Sequence, residues 1–330
     1  MGLRIEGVEG EEDDMEAAAT SLVAKLEGRD LEEKRVAVRE LRLVSRSDER
    51  CRRYVADAGG IEALVALLQT SDSDIQENAV TALLNLSIDP HVRLRITETY
   101  SALDAILHLL SSGHTTAAKE NAAATLFSLL IVEEYRDVVG QHPLAISELL
   151  SLFRDAPTHR GRKDAIKGLF HLALHDANKP RLVMEGAVQL LVSAMLQRRS
   201  GLVDESLSVL AILALCDEGA IAIVAASALP TLVDILAVGP SKSRENALAV
   251  LLALCQGGDD IVFHRVAFYN HQIVSSLCSL LVIGSDRAKR KANELMRMLV
   301  VSDSSSDSVS SQSYQSGSSF WNDSDPRTQV

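Results

Sequence analysis

The densest gathering of nucleophilic and metal-binding side chains in this 330-residue chain is Cys255, Asp259, Asp260 and His264. A thiolate, two carboxylates and an imidazole could hold zinc or build a Cys–His nucleophile. Their spacing speaks against both. Cys255 closes an apolar run, and Gly257 and Gly258 separate it from the acids, so the four residues straddle a turn instead of sharing one helix face. A core cysteine followed by a polar loop accounts for them. The phosphate cradles G-x-x-x-x-G-K-[ST] and G-x-G-x-x-G, the zincin H-E-x-x-H and the nucleophile elbow G-x-S-x-G do not occur, and each chemistry needs its residues at those spacings. No catalytic residue, cofactor or metal is expected, and the chain is not expected to be an enzyme.

The remaining chemistry is charge. A formal net charge of −12 argues against a nucleic-acid footprint, which requires a dense positive face. Cations nevertheless gather at recurring places: Arg160, Arg162 and Lys163; Arg198 and Arg199; Lys242 and Arg244; Arg287, Lys289, Arg290 and Lys291. Each cluster stands ahead of an apolar helical stretch. Cations there oppose the helix dipole, while free N–H groups attract anions, so a positive edge receptive to an acidic or phosphorylated protein segment is expected.

The elements that position these residues are repeats. Apolar spacing recurs in IEALVALL from 61, LDAILHLL from 103, ISELLSLF from 146, VQLLVSAM from 188, LPTLVDIL from 229 and VSSLCSLL from 274. Relative positions 0, 3, 4, 6 and 7 form one helix face. A second series follows after short polar loops, including ENAVTALLNL from 77, ENAAATLFSL from 120 and ENALAVLLAL from 245, and a short helix leads each unit. Gly59 and Gly60 permit the turn out of the first such leader. Three helices per unit of some 42 residues resembles the armadillo pattern, which implies an all-α, right-handed armadillo-repeat α-solenoid. About six and a half repeats are expected over 15–300, between a disordered acidic N-terminus, 1–14, and a disordered Ser-rich tail, 301–330. One unit cannot offset the entropy of ordering itself, so the units must stack.

The stretches ENAVTALLNLSID, KENAAATLFSLLIVEE, GRKDAIKGLFHLALHDANK, SRENALAVLLALC and GSDRAKRKANELMRML resemble the armadillo domain of plant U-box ubiquitin ligases. In that family the armadillo domain binds substrates, receptor kinases or other partners, and a separate U-box docks the conjugating enzyme. No stretch here resembles a U-box, so the resemblance implies an armadillo-only scaffold or adaptor in plant stress, defence or hormone signalling linked to ubiquitination. Ligase activity is not expected. The alternatives are a substrate-binding component of a U-box-type ligase and, with less support, a nuclear transport receptor.

Armadillo proteins of the importin type bind extended peptides through an asparagine ladder on the third helix. The matching positions are Asn85, Ser128, His171, Ile212, Ala253 and Met298, so only the first keeps the amide. The last three suggest an apolar groove for an amphipathic partner helix. Beyond 300 the chain carries twelve serines between Ser302 and Ser324, and Ser304 and Ser305 are candidate phosphosites whose modification would place negative charge beside the basic 287–291 stretch. Cysteines without metal spacing, no apolar signal segment and no run long enough to span a bilayer suggest a cytoplasmic or nuclear protein.

Overall fold

The computed structural model describes residues 6–197 and 201–315, with side-chain surroundings for 14–197 and 201–300. Helices α1 (Glu6–Glu27) and α2 (Leu31–Ser47) open the chain. Six units of three helices follow among the described residues. They are α3 (Glu49–Asp57), α4 (Gly60–Leu67) and α5 (Ser73–Leu86); α6 (Pro90–Glu98), α7 (Ala102–Ser112) and α8 (Thr116–Leu129); and α9 (Tyr135–Gln141), α10 (Ala145–Asp155) and α11 (His159–Ala173). The later three are α12 (Asn178–Met184), α13 (Ala187–Leu196) and α14 (Val203–Leu213); α15 (Asp217–Ala225), α16 (Leu229–Val238) and α17 (Ser241–Gly257); and α18 (Asp260–Ala267), α19 (Asn270–Ile283) and α20 (Asp286–Gln315).

Local chemistry sets the boundaries. Asp48, Asp89 and Asp259 cap first helices, and Asp30, Asp72, Thr115 and Thr158 cap third helices, each side chain accepting from backbone N–H groups that would otherwise lack partners. In four of the described units the turn from first to second helix passes through a left-handed residue. Gly59 (φ 82°) and Gly186 (φ 84°) supply it freely, whereas Ser101 (φ 58°) and Ser227 (φ 56°) adopt it at a cost that the packed unit sustains. Helices α5 and α8 end under an arginine of the following first helix: Arg93 Nε donates to Ser87 O (2.8 Å) and Arg136 Nε to Leu130 O (3.1 Å).

The third helices α2, α5, α8, α11, α14, α17 and α20 pack on one another in chain order, and the second helices back them. Leu86, Leu129, Leu172, Leu213, Leu254 and Leu299 occupy one recurring position and are wholly buried. These side chains form part of one continuous aliphatic core running the length of the stack, so the architecture is an all-α solenoid.

Two boundaries differ from the sequence reading. Helix α1 begins at Glu6, ahead of the limit at 14, where the acidic run suits the positive end of a helix. Helix α20 continues to Gln315, past the limit at 300, because 301–315 holds neither proline nor glycine to stop it. Residues 1–5 and 316–330 lie outside the described residues. No single described helix is long and apolar enough to cross a membrane.

The close joint between first helices α9 and α12 predicts a measurable loss. Asn178 is 1% exposed, and its Nδ2 donates to Arg136 O (2.8 Å) and Leu172 O (3.1 Å). A Cβ on Gly140 would come within 1.9 Å of Asn178 Oδ1. Gly140→Ala must displace that amide, and overpacking of this kind costs about 1–3 kcal/mol. A urea titration should show a lower midpoint for the variant.

Candidate partner-binding site

One residue from each third helix forms the row Asn85, Ser128, His171, Ile212, Ala253 and Met298. Two of its polar members serve the scaffold. Asn85 Nδ2 donates to Arg42 O (3.1 Å) and Ser45 Oγ (3.4 Å), and Ser128 Oγ donates to Ser87 O (3.0 Å), so both tie a third helix to the one before it. Ala253 is buried, whereas Ile212 and Met298 are half-buried.

A second polar series locks the joints. Thr115 Oγ1 donates to Glu77 (2.8 Å), Thr158 Oγ1 to Glu120 (2.5 Å), Ser243 Oγ to Asp204 (2.7 Å) and Ser285 Oγ to Glu245 (2.8 Å). Thr115, Thr158 and Ser285 also accept from the backbone of Ala118, Gly161 and Ala288. A hydroxyl can cap its own helix and bond the preceding unit at once, which a carboxylate cannot do. The asparagines of the E-N-A stretches behave alike: Asn121 Nδ2 donates to Thr81 Oγ1 (2.9 Å) and Asn246 Nδ2 to Asp204 O (3.3 Å).

The basic edge meets acids of its own chain. Lys163 pairs with Glu205 (3.4 Å), Lys242 with Asp204 (3.6 Å) and Arg287 with Glu245 (3.4 Å). Arg160 donates to Asn121 Oδ1 (2.7 Å), while Arg162 and Arg244 donate to the carbonyls of Ala156 and Leu236 (2.8 Å each). Arg198, Arg199 and the side chains of Ser304 and Ser305 lie outside the described residues. The structure therefore brings Lys289, Arg290 and Lys291 to the C-terminal end as the remaining cations. Burial, reinforced by Arg287, lowers the Lys291 pKa from the ordinary lysine value. The cysteine-acid-histidine group is split: Cys255 is buried in α17 with its thiol pushed up to about 12 by burial, Asp259 caps α18, and His264 is exposed.

The turns that follow four third helices leave aliphatic side chains open. Ile88, Ile131, Leu174 and Leu215 stand three residues after the row and are 56, 43, 40 and 49% exposed. Leu84, Phe127, Phe170 and Ala211 stand one residue before it and are half-buried. His171 sits between two rings, with Phe127 at 5.4 Å and Phe170 at 5.7 Å, the latter edge-on. Lys167 Nζ lies 5.0 Å from the Phe127 centroid, a cation–π contact. Ile166, Lys167, Phe170, His171, Glu205 and Ser208 line a cleft of about 170 Å³, enough for one inserted side chain. The sequence reading missed Phe127, Phe170 and the Ile88-to-Leu215 row. Their 41-to-43-residue recurrence was the available signal, but the same spacing also describes core positions.

The family model for the plant U-box protein ARM repeat region matches residues 18–318. The chain belongs to this family. It is 35% identical over 263 residues to U-box domain-containing protein 16 of Arabidopsis thaliana, covering 79% of this chain and 38% of that protein. Against U-box domain-containing protein 1 of Medicago truncatula it is 38% identical over 288 residues, covering 87% and 41%. The chain thus spans about two-fifths of the length of these ARM-repeat relatives. A computationally designed armadillo repeat protein for modular peptide recognition shares the fold with a TM-score of 0.65, at 22% identity, over 71% of this chain and 98% of that one.

His171 yields a test of the groove's interior. Burial, and then the positive charge of Arg136, hold its pKa below the ordinary imidazole value. The unfolded chain therefore binds the proton more readily, and acidification from neutrality through the ordinary value down to the depressed one should destabilise the fold. NMR should show the His171 ring titrating below the ordinary imidazole value, and His171→Phe should flatten that part of the stability profile.

Proposed function

We propose that the chain is a non-catalytic interaction scaffold whose concave groove takes an amphipathic protein segment by its apolar side. One observation carries the reading: four aliphatic side chains, each one or two residues past the end of consecutive third helices, recur in register and stay open to solvent, with half-buried Phe127 and Phe170 four residues before two of them. Single exposed leucines are ordinary, but a contiguous row is not. At 8–10 Å between neighbouring helices, the row runs about 30 Å, the length of a partner helix of about 20 residues. Much of the surrounding polar chemistry is occupied within the scaffold, which favours recognition by side-chain burial over a ladder of amides to a peptide backbone.

The setting we propose is plant signalling linked to ubiquitination, in the cytoplasm or nucleus. The named relatives are U-box proteins, which supports a second reading in which these repeats supply the substrate-binding part of a U-box-type ligase. Two experiments separate these readings. Affinity capture with the wild type, Phe170→Asp and Leu174→Asp should yield a partner that both variants lose, and the purified partner should bind either variant at least tenfold more weakly. The chain incubated with activating and conjugating enzymes should form no ubiquitin conjugates; autoubiquitination would overturn the non-catalytic reading.

A further inference from the structure

One joint of the stack shows what the next joint lacks. Between α8 and α11 the ring of Phe127 is covered from the following helix: Lys167 Nζ lies 5.0 Å from its centroid, and the His171 ring lies 5.4 Å away. Asp164 holds Lys167 there at 3.0 Å. Between α11 and α14 the same positions recur 41 or 43 residues on, with Phe170 in the place of Phe127, Glu205 of Asp164, Ser208 of Lys167 and Ile212 of His171. The ring and the acid are kept, but a serine replaces the long side chain that covered the ring. Its hydroxyl turns back to its own helix and donates to Asp204 O (2.8 Å). The cleft of about 170 Å³ lined by Phe170 and Ser208 is the space that this exchange leaves.

The walls limit what fills it. Helix α11 brings Lys167 to the lining and α14 brings Glu205, and each is half of an ion pair, Lys167 with Asp164 (3.0 Å) and Glu205 with Lys163 (3.4 Å). An entering cation would face Lys167 and Lys163, and an anion would face Glu205 and Asp164. A branched aliphatic would dehydrate the ammonium and the carboxylate while offering neither a polar contact. An aromatic ring suits both, because its electron-rich face attracts the ammonium and its positive edge, above all an N–H or O–H carried there, attracts the carboxylate. The ring also meets Phe170 and His171, which already lie edge-on to one another at 5.7 Å and 83°. Size agrees, since an apolar cavity of about 150 Å³ takes a benzene ring.

We propose that this cleft anchors the partner segment by an aromatic side chain carrying a hydrogen-bond donor, a tryptophan or a tyrosine, with its ring on Phe170 and its N–H or O–H toward Glu205. The inference rests on the reading that the groove takes an amphipathic protein segment, and adds which residue that segment must carry. The cleft lies between the third helices of the third and fourth of the six described units, the middle of the stack, where a buried aromatic anchor contributes most to an interface. The exposed Leu174 and Leu215 follow the same two helices, so an anchored segment lays its aliphatic side chains on the row beside it.

NMR titration of the full chain with N-acetyl-tryptophanamide tests this without the natural partner. The Phe170, His171 and Lys167 resonances should move together and saturate, and N-acetyl-tyrosinamide should act likewise. N-acetyl-leucinamide and N-acetyl-lysinamide should bind about tenfold more weakly, and methylation of the indole nitrogen should weaken binding about fivefold. Ser208→Lys restores the pattern of the α8–α11 joint, so it should fill the cleft and abolish the tryptophan shifts with helical circular dichroism unchanged. Phe170→Leu keeps an apolar wall and should erase the preference for tryptophan over leucine. Tryptophan and leucine amides that bind the wild type equally, no saturable shift at these three residues, or unchanged tryptophan binding in Ser208→Lys would overturn the proposal. Loss of the captured partner in Leu174→Asp decides the groove reading itself, independently of the amides.

Discussion

The structure depends on the joint between consecutive third helices. Each unit carries aliphatic ridges on more faces than its own three helices can cover, and water is excluded only when the next unit closes over them. The wholly buried leucines from Leu86 to Leu299 mark that closure. Burial alone does not fix how one helix sits along another, because an aliphatic surface tolerates sliding. Directional contacts supply the register: Thr115 to Glu77, Thr158 to Glu120, Ser285 to Glu245, and the asparagine amides beside them. Gly161 belongs to the same device, since a Cβ there would lie 2.7 Å from Glu120 Oε1, within the space the carboxylate needs to reach Thr158.

This internal saturation shapes the binding face. A polar group engaged by the neighbouring unit must break that contact before it can serve a ligand, and a buried donor left unpaired costs more than a surface bond returns. Asn85, Ser128, Asn121 and Asn246 are all engaged, which leaves rings and branched aliphatics as a large share of what the face offers a partner. Rings and branched aliphatics there gain from any partner that excludes water, and geometry supplies the selectivity: one contact point per repeat, set by helix spacing.

The fold was legible because its signal is redundant. Six copies of an apolar pattern in phase leave one economical packing, and the leader helices and glycine turns agree with it. The site was less legible, for a physical reason. The edge cations Lys163, Lys242 and Arg287 read from sequence as a positive surface, but the acids that neutralise them, Glu205, Asp204 and Glu245, lie about 40 residues away and come opposite only when the units stack. Phe127 and Phe170 were hidden differently. They sit one position before the ladder row, and helical periodicity alone does not say whether such a position turns inward to the core or outward to the groove.

The order of charges along the stack has a consequence for assembly. Nearly identical units could dock on the wrong neighbour, the standing hazard of repeat chains. Here the joints are not identical. Lys163 of α11 meets Glu205 of α14, whereas Glu120 of α8 meets Thr158 and Asp204 of α14 meets Lys242. Were α14 to skip a unit and pack on α8, Glu205 would face Glu120; were α17 to pack on α11, Lys242 would face Lys163. Each misdocking forfeits an attraction and gains a repulsion, and near a forming interface that repulsion is screened less than it is on an open surface. Each half-exposed pair stabilises the finished fold only modestly. Its larger effect is on the comparison between correct and shifted stacks, where lost pairs and like-charge contacts act in the same direction.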